Sequence, residues 1–398
     1  MTSTYARSEA DCQVPWMREL LSRLGTGAGA IRVMAPAFEG LKSHAIDGVP
    51  VHRFRYAPAK FENLTHDEGA PNKSRSLFYK LLAIPYIVCG MIAVFGWCVK
   101  HRIDVLHVHW PFPHGLWAVL PKYLLGVKVV AMNHGAELAI ARRSSGVRFV
   151  LSLLLKMADV RCANSSHTAA EVQKVCGLDD TVITPYGATV TSKASTPVKR
   201  EKPLLLFCGR LIQRKGIDVL LRSLPMVLAQ QDVEVVITGE GDSKDEWMQL
   251  AESMRLTTTV RFAGFVSNEE LGELYNSCSV YVHPAIFDDN GDTEGLGVVL
   301  IEALSYRKPV VASAVGGIVD VIRDGETGLL VEEKNEEQLA TAINRVLADA
   351  SLAQQLGQRG YEHVKKFFDW ERIALQTSDI YGSVCDRKLP LDATPTEA

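Results

Sequence analysis

Two carboxylates eight residues apart, Glu294 and Glu302, stand in the run Phe287–Leu304 (FDDNGDTEGLGVVLIEAL). Glu294 precedes a Gly-Leu-Gly turn, and Glu302 lies inside the apolar, helix-like stretch that follows. An ionised carboxylate among Val, Leu, Ile and Ala is costly unless something satisfies it. A sugar diol satisfies one well, because a carboxylate accepts from two hydroxyls. The amides around Gly295, Leu296 and Gly297 open a helix, and a helix N-terminus suits a diphosphate. Read as structure alone, the same pair is a capping acid at Glu294 and a core ion pair at Glu302. Taken by itself, the pair leaves both readings open.

A second run, Gly209-Arg210-Leu211-Ile212-Gln213-Arg214-Lys215-Gly216, follows the strand-like Leu204–Cys208 directly. It puts cations at the carboxyl edge of a sheet, where open parallel sheets bind ligands. Gly239-Glu240-Gly241-Asp242 follows the next strand, and its glycines let backbone approach a ligand closely. Other constellations carry less. His107 and His109 share one face of a strand with His114 nearby, and Asp288, Asp289 and Asp292 cluster. Neither set is read as a metal site. The serines at 144, 145, 165 and 166 lack a G-x-S-x-G elbow, which removes a hydrolase triad. Gly25–Ala30 fits G-x-G-x-x-G/A in letters, but it follows the helix-like Val14–Leu24 and precedes a strand. A dinucleotide fingerprint needs the reverse order.

The elements that position these residues alternate: short β-rich apolar runs, then segments of helical period. That is the pattern of parallel sheets wrapped by helices. The first half has strand candidates at Ile31–Pro36, Val49–Ala57, Asp104–Trp110, Val127–Asn133, Asp159–Asn164 and Thr181–Tyr186. The second half has them at Pro203–Gly209, Val233–Gly239, Val260–Val266, Ser279–Pro284, Pro309–Ser313 and Gly328–Val331. A chain of 398 residues, 47% hydrophobic and 22% charged, is large enough for two domains and too apolar for disorder. Its eight cysteines include no C-x-x-C, and the N-terminus shows no secretory leader, so a reducing, cytoplasmic setting is expected. Net charge is −3 but unevenly divided, +10 over residues 1–200 and −13 over 201–398. The basic half suits an anionic partner. No aromatic-interleaved basic module accompanies it, so nucleic acid is not expected.

Together these runs resemble the retaining nucleotide-sugar glycosyltransferases of family 4. The resemblance is carried by Gly209-Arg210…Lys215-Gly216, Gly239-Glu240-Gly241 and Glu294-x7-Glu302. Pro309–Ala312, Val315-Gly316-Gly317 and Asp324-Gly325…Gly328-Leu329-Leu330 follow in order. It is looser in the first half, through Asp104–Pro113 (DVLHVHWPFP), Asn133-His134-Gly135 and Ala163-Asn164-Ser165. The resemblance implies an α/β chain of GT-B fold: two Rossmann-like, doubly wound parallel-sheet domains facing a central cleft. It assigns Arg210 and Lys215 to the donor diphosphate, Glu294 to hydroxyls of the donor sugar and Glu302 to the ribose diol. Gly209, Gly239, Gly241, Gly295, Leu296 and Gly297 would line the donor, and His134 would face the donor sugar. No cofactor or metal is implied, the nucleotide-sugar being a substrate. One departure concerns the strand that normally opens the fold. Only Met1–Tyr5 of it stand in this sequence, either because the sequence starts late or because the first domain lacks a full central strand, and the loop Arg7–Pro15 that follows has no glycine.

The expected division is an acceptor-side domain over 1–188, a linker over 189–202 and a donor domain over 203–368. A helix over 369–385 returns to the first domain, and 386–398 form a disordered tail. Leu81–Val99 is uncharged throughout, close to the length that spans a bilayer. Pro85, Gly90 and Gly96 interrupt it, so it reads as a helix packed on the sheet with an exposed apolar face. With Arg142, Arg143, Arg148 and Lys156 around Phe149–Leu155, it points to peripheral attachment at the inner, anionic membrane surface. The acceptor is then expected to be lipid-linked or another saccharide, in cell-surface polysaccharide or glycoconjugate synthesis. The alternatives are a nucleotide-sugar epimerase of the same fold and a non-catalytic sugar-nucleotide binding protein.

Overall fold

A computed structural model describes residues 1–11, 13–25, 31–65, 76–190 and 200–385. The glycine-rich 26–30, most of the 189–202 linker and the 386–398 tail therefore lie outside the described residues. The chain divides into two compact units, Met1–Thr184 with Trp370–Ala398, and Pro185–Asp369.

In the first unit β1 (Val33–Pro36), β2 (His44–Ile46) and β3 (Val49–Phe54) form one sheet in the order β1-β3-β2. A second sheet runs β4 (Val105–His109), β5 (Lys128–Asn133), β6 (Val160–Ala163) and β7 (Val182–Ile183), all parallel. β2 was not among the expected strands. It pairs antiparallel with β3 through a two-residue Asp47-Gly48 turn, both residues at positive φ, which is the strongest short hairpin signal a sequence offers. The strand expected at Thr181–Tyr186 shrinks to Val182–Ile183. Pro185, with no N–H to donate, cannot extend the ladder.

Met1 and Thr2 bridge the two sheets. The Met1 amine donates to the His107 carbonyl at 2.7 Å, His109 N–H to the Met1 carbonyl at 3.0 Å, and Thr2 N–H to the Met34 carbonyl at 3.1 Å. Below this bridge lies a cavity of about 920 Å³, lined by Val33 and Met34, Leu106 and His107, and helix residues such as Leu20 and Trp97. Met1 and Thr2 thus reach both neighbouring sheets.

Helices α1 (Pro15–Arg23), α2 (Leu77–His101), α3 (Leu116–Leu125), α4 (Ala136–Arg143), α5 (Ser145–Met157) and α6 (Ser166–Cys176) surround these strands, with the final helix Trp370–Cys385. Leu82, Tyr86, Gly90, Val94 and Cys98 recur every four residues on α2 and form its buried face. Gly90 lets α2 lie against Trp117 of α3: a Cβ there would come within 2.3 Å of the indole.

The second unit holds one all-parallel sheet of six strands. They are β8 (Leu204–Cys208), β9 (Glu234–Thr238), β10 (Val260–Gly264), β11 (Val280–His283), β12 (Val310–Ser313) and β13 (Leu329–Val331). The spatial order is β10-β9-β8-β11-β12-β13. Numbered from its own first strand, this is 3-2-1-4-5-6, with the reversal between β8 and β11. Strands buried on both faces need continuous apolar runs, and LLLFC in β8 and VYVH in β11 supply them. Helices α7 (Ile217–Leu228), α8 (Lys244–Ser253), α9 (Asn268–Ser277) and α10 (Val298–Ser305) follow β8, β9, β10 and β11.

Candidate active site

The loops after β8 and β11 leave the sheet at its point of reversal, where ligands of open α/β sheets bind. A short 3-10 turn, Gln213–Lys215, carries Arg214 and Lys215. The β11 loop brings Glu294 to them. The Lys215 ammonium contacts the Glu294 carboxylate, Arg214 Nη1 lies 3.4 Å from it, and His283 Nε2 lies 3.2 Å away. Lys215, Glu294 and His283 are all buried. Burial alone would push the Glu294 carboxyl up. Lys215 and Arg214 override it and hold the group well below the usual carboxylate range. Burial lowers the His283 imidazole to about 4, so it faces the pair neutral. Gly317 N–H donates to the Glu294 carbonyl at 2.9 Å and fixes the loop from the other side.

Arg210 differs from Lys215. Its side chain is exposed and, among the described residues, makes no ion pair. Gly209 directly follows β8, and Gly239 and Gly241 begin the β9 loop. The two loops are stitched together by Leu211 N–H donating to the Glu240 carbonyl at 2.9 Å. A Cβ at Gly239 would sit 2.0 Å from the Gly209 carbonyl oxygen, so the approach demands glycine there. Gly295, Leu296 and Gly297 lead into α10, with Gly297 as its left-handed N-cap and the Leu296 side chain buried.

Glu302 does not join this cluster. It is buried on α10, where one carboxylate oxygen accepts from Thr189 Oγ1 at 2.6 Å and from the Thr189 and Val190 amides. The other oxygen accepts from Tyr275 Oη at 3.1 Å. Burial raises the Glu302 carboxyl, and these hydrogen bonds oppose the rise. Among the described residues Glu302 makes no ion pair; hydroxyls and amides satisfy its carboxylate instead.

In the first unit, His134 stands just after β5, beside the end of β4. Trp110, at the end of β4, is held at φ 53 and ψ 76, a costly region for a bulky residue. Its ring lies 4.4 Å from that of His134, and Trp16 of α1 lies 5.1 Å away. His109 Nδ1 is 3.1 Å from His134 Nε2. Buried Glu137 accepts the His134 backbone N–H at 2.8 Å, and burial raises its carboxyl to about 7. The neighbouring histidines are engaged: His107 with Tyr381, and His114 with Tyr86 and two carbonyls.

Sequence reasoning missed Arg214, His283, Tyr275, Thr189, His109 and Glu137 as parts of these sites. For His283 a signal existed, a histidine ending an otherwise apolar buried strand. For Tyr275 and Thr189 nothing local marks a partner of Glu302.

The exposed face of α2 carries Leu77, Leu81, Ile84, Val88, Ile92 and Val99 at helical spacing. By length and composition the helix could cross a membrane, with mean hydropathy 2.1 and 28% of its apolar window buried. The basic cluster on α4 and α5 is partly spent within the unit. Arg142 pairs with Glu171 at 2.9 Å, and Arg148 donates to the Lys174 carbonyl. Phe149 and Leu153 are exposed, while Leu151, Leu154 and Leu155 are core.

Two Rossmann-like parallel-sheet units, one with buried charge at its sheet reversal, define a protein of the GT-B fold. The comparisons agree. The family described as Glycosyltransferase Family 4 matches residues 30–187, and Glycosyl transferases group 1 matches residues 190–363. The chain belongs to the glycosyltransferases of the family 4 type. It is 32% identical over 192 residues to an uncharacterised glycosyltransferase of Methanocaldococcus jannaschii, the match spanning 48% of each. It is 26% identical to the GDP-mannose-dependent alpha-(1-6)-phosphatidylinositol monomannoside mannosyltransferase of Mycobacterium tuberculosis, over 70% of this chain and 76% of that one. Sucrose-phosphate synthase of Thermosynechococcus elongatus shares the fold with a TM-score of 0.73 at 23% identity, covering 93% and 92%.

Proposed function

We propose that this glycosyltransferase moves a sugar from a nucleotide-sugar to an acceptor hydroxyl with retention of configuration, and that the acceptor is lipid-linked. The observation that carries the donor half is the buried cluster of Lys215, Arg214, Glu294 and His283 at the reversal of the second sheet. As the bond from the sugar carbon to the diphosphate breaks, negative charge gathers on the leaving oxygen. Arg210 and Lys215 offset it, an electrostatic role that asks for no metal ion. Glu294 keeps Lys215 charged in a buried place and meets sugar hydroxyls, and Glu302 exchanges Thr189 for the ribose diol. The amides of Gly295, Leu296 and Gly297 take phosphate oxygens, and His134 supplies a hydrogen bond to the transferred sugar. Glu294 is already committed to three cationic or imidazole partners, which disfavours it as a nucleophile. We therefore favour departure and attack on one face of the sugar, with the leaving phosphate oxygen accepting the acceptor's proton.

Support for the lipid-linked acceptor comes from α2. The part of its apolar stripe from Leu81 to Val99 lies between Lys80 and the exposed pair Lys100 and Arg102. An amphipathic element of this kind lies in a membrane surface, and anionic lipid adds about 1 kcal/mol per basic group. A relative named for phosphatidylinositol mannoside chemistry fits the same reading. On this reading the docking surface meets the inner face of the membrane and the enzyme is cytoplasmic.

One experiment tests both halves. Released nucleotide is measured across several nucleotide-sugars, with and without chelator and with and without lipid extract, beside flotation on anionic vesicles. Release only in the presence of lipid, insensitive to chelator, with flotation that weakens in salt, is expected. Full release on a water-soluble acceptor without flotation overturns the lipid half. Loss of release restored by a divalent ion overturns the metal-free half. A donor sugar epimerised and not transferred would mean an epimerase.

A further inference from the structure

We propose that His109 is the positioning residue for His134: it holds one tautomer and one ring plane of the imidazole that meets the transferred sugar. This rests on the reading of His134 given above. β4 and β5 are adjacent and parallel, with His109 opposite Met132, so their carboxyl ends deliver His109 and His134 side by side. His109 Nδ1 lies 3.1 Å from His134 Nε2, and the rings are near-parallel at 25° with centroids 5.2 Å apart. Desolvation holds both imidazoles well below their ordinary value, so both are neutral near pH 7. Two neutral ring nitrogens at that distance share one proton, and the tautomer of one dictates that of the other.

His109 is not free to turn. It is buried, its ring stacks on His107 at 4.3 Å, and Trp16 packs against it at 5.5 Å. His107 is itself anchored, its Nδ1 lying 2.6 Å from Tyr381 Oη on the final helix. The chain of contacts therefore runs from the last helix through two stacked imidazoles to His134. His134 Nε2 is thereby engaged by His109, and its state as donor or acceptor is set from behind. A histidine held by an outer partner owes that partner about 10- to 100-fold when it ligates metals, and a similar scale applies here.

The test uses His109→Phe, which keeps the ring stack and loses the nitrogen, and His109→Asn, whose amide can replace Nδ1. Imidazole ¹⁵N spectra of the full-length chain give the tautomer directly, with His134→Asn identifying the His134 signals. The expected results are a single His134 tautomer in the parent chain, a mixed one in His109→Phe and a single one again in His109→Asn. Turnover should fall about tenfold or more in His109→Phe with donor KM little changed, and recover in His109→Asn. An unchanged His134 spectrum and turnover in His109→Phe, while His134→Ala is inactive, overturns the positioning role alone. Full turnover in His134→Ala overturns the assignment of His134 and this inference with it. If His109→Phe does not fold, the parent tautomer and His109→Asn decide: a mixed tautomer in the parent refutes the proposal.

Discussion

The two units build their sites from opposite materials. The second buries fixed charge, Lys215 and Arg214 against Glu294, at the reversal of a continuous six-stranded sheet. The first gathers neutral imidazoles and indoles, His109, His134, Trp16 and Trp110, at the carboxyl ends of β4 and β5. A diphosphate carries constant charge, so a site for it requires cations, their counter-ions and close-approaching backbone. A neutral hydroxyl requires only a well-aimed hydrogen bond, and many side chains can provide it.

The largest effect expected from this contrast is in acid. Desolvation depresses His107 to about 3 and His114 to about 4, and holds His109 and His134 well below their usual value. In the unfolded chain they titrate near 6.5, so below that pH the unfolded state binds more protons and stability falls until the folded values are reached. Glu137 acts in the opposite sense. Its carboxyl, raised to about 7, is protonated in the folded state first, so it adds stability as pH falls from 7 toward the ordinary carboxylate value. Four depressed imidazoles outweigh one raised carboxyl, so the net effect is a loss of stability as pH falls from about 6.5 toward 5. The second unit has only two histidines, His283 and His363, both buried and both depressed in this way. Limited proteolysis at pH 5 should cut the first unit before the second. Simultaneous cleavage of both would break the comparison.

Next come the charges themselves. Lys215→Ala and Arg210→Ala should each lower turnover by about a hundredfold or more, the scale for losing one preorganised donor. Glu302→Gln should act mainly on nucleotide affinity by calorimetry, by about tenfold or less, because Thr189 and Tyr275 already provide hydroxyl partners for that side chain. Near-parental turnover in both cation variants would remove the diphosphate assignment. Unchanged nucleotide affinity in Glu302→Gln would remove the ribose role.

The same contrast governs what could be read from the chain. Parallel strands buried on both faces need unbroken Val, Ile and Leu runs, so all six strands of the second sheet were located to within one or two residues. Glu294 and Lys215 are 79 residues apart, yet each lies in a run whose glycines and charges stand out. The first unit offered less. β2 is three residues with one buried side chain, and only its Asp47-Gly48 turn announced it. His109 read as one of two strand histidines, and its partner was invisible because adjacency of β4 and β5 is a fact of topology. Trp16, in a helix near the N-terminus, could not be placed beside His134 by any local pattern. The amphipathic character of α2 was legible in part. Its missing charges marked the helix, but which face is covered depends on α3.

The smallest effect separates the two faces of α2. Gly90 and Gly96 occupy the same helix, and each lowers its intrinsic stability relative to alanine by roughly 0.5–1 kcal/mol. Gly90 is buried, and a methyl there would meet the Trp117 indole at 2.3 Å. Trp117 is fully buried and also contacts Phe54 and Tyr86, so it has little room to retreat. Gly90→Ala should therefore cost about 1–3 kcal/mol, the range for overpacking a filled core, despite the better helix former. Gly96 is exposed, with nothing within 4 Å of the added methyl. Gly96→Ala should gain up to about 1 kcal/mol in a urea titration, and Gly96→Glu should change stability little. These values sharpen the membrane question, since Gly96 continues the stripe of Ile92 and Val99. If that stripe lies in lipid, Gly96→Glu weakens vesicle flotation while its unfolding midpoint stays near the parent's. Equal flotation of Gly96→Glu and Gly96→Ala would mean that the exposed face of α2 does not touch lipid at this point.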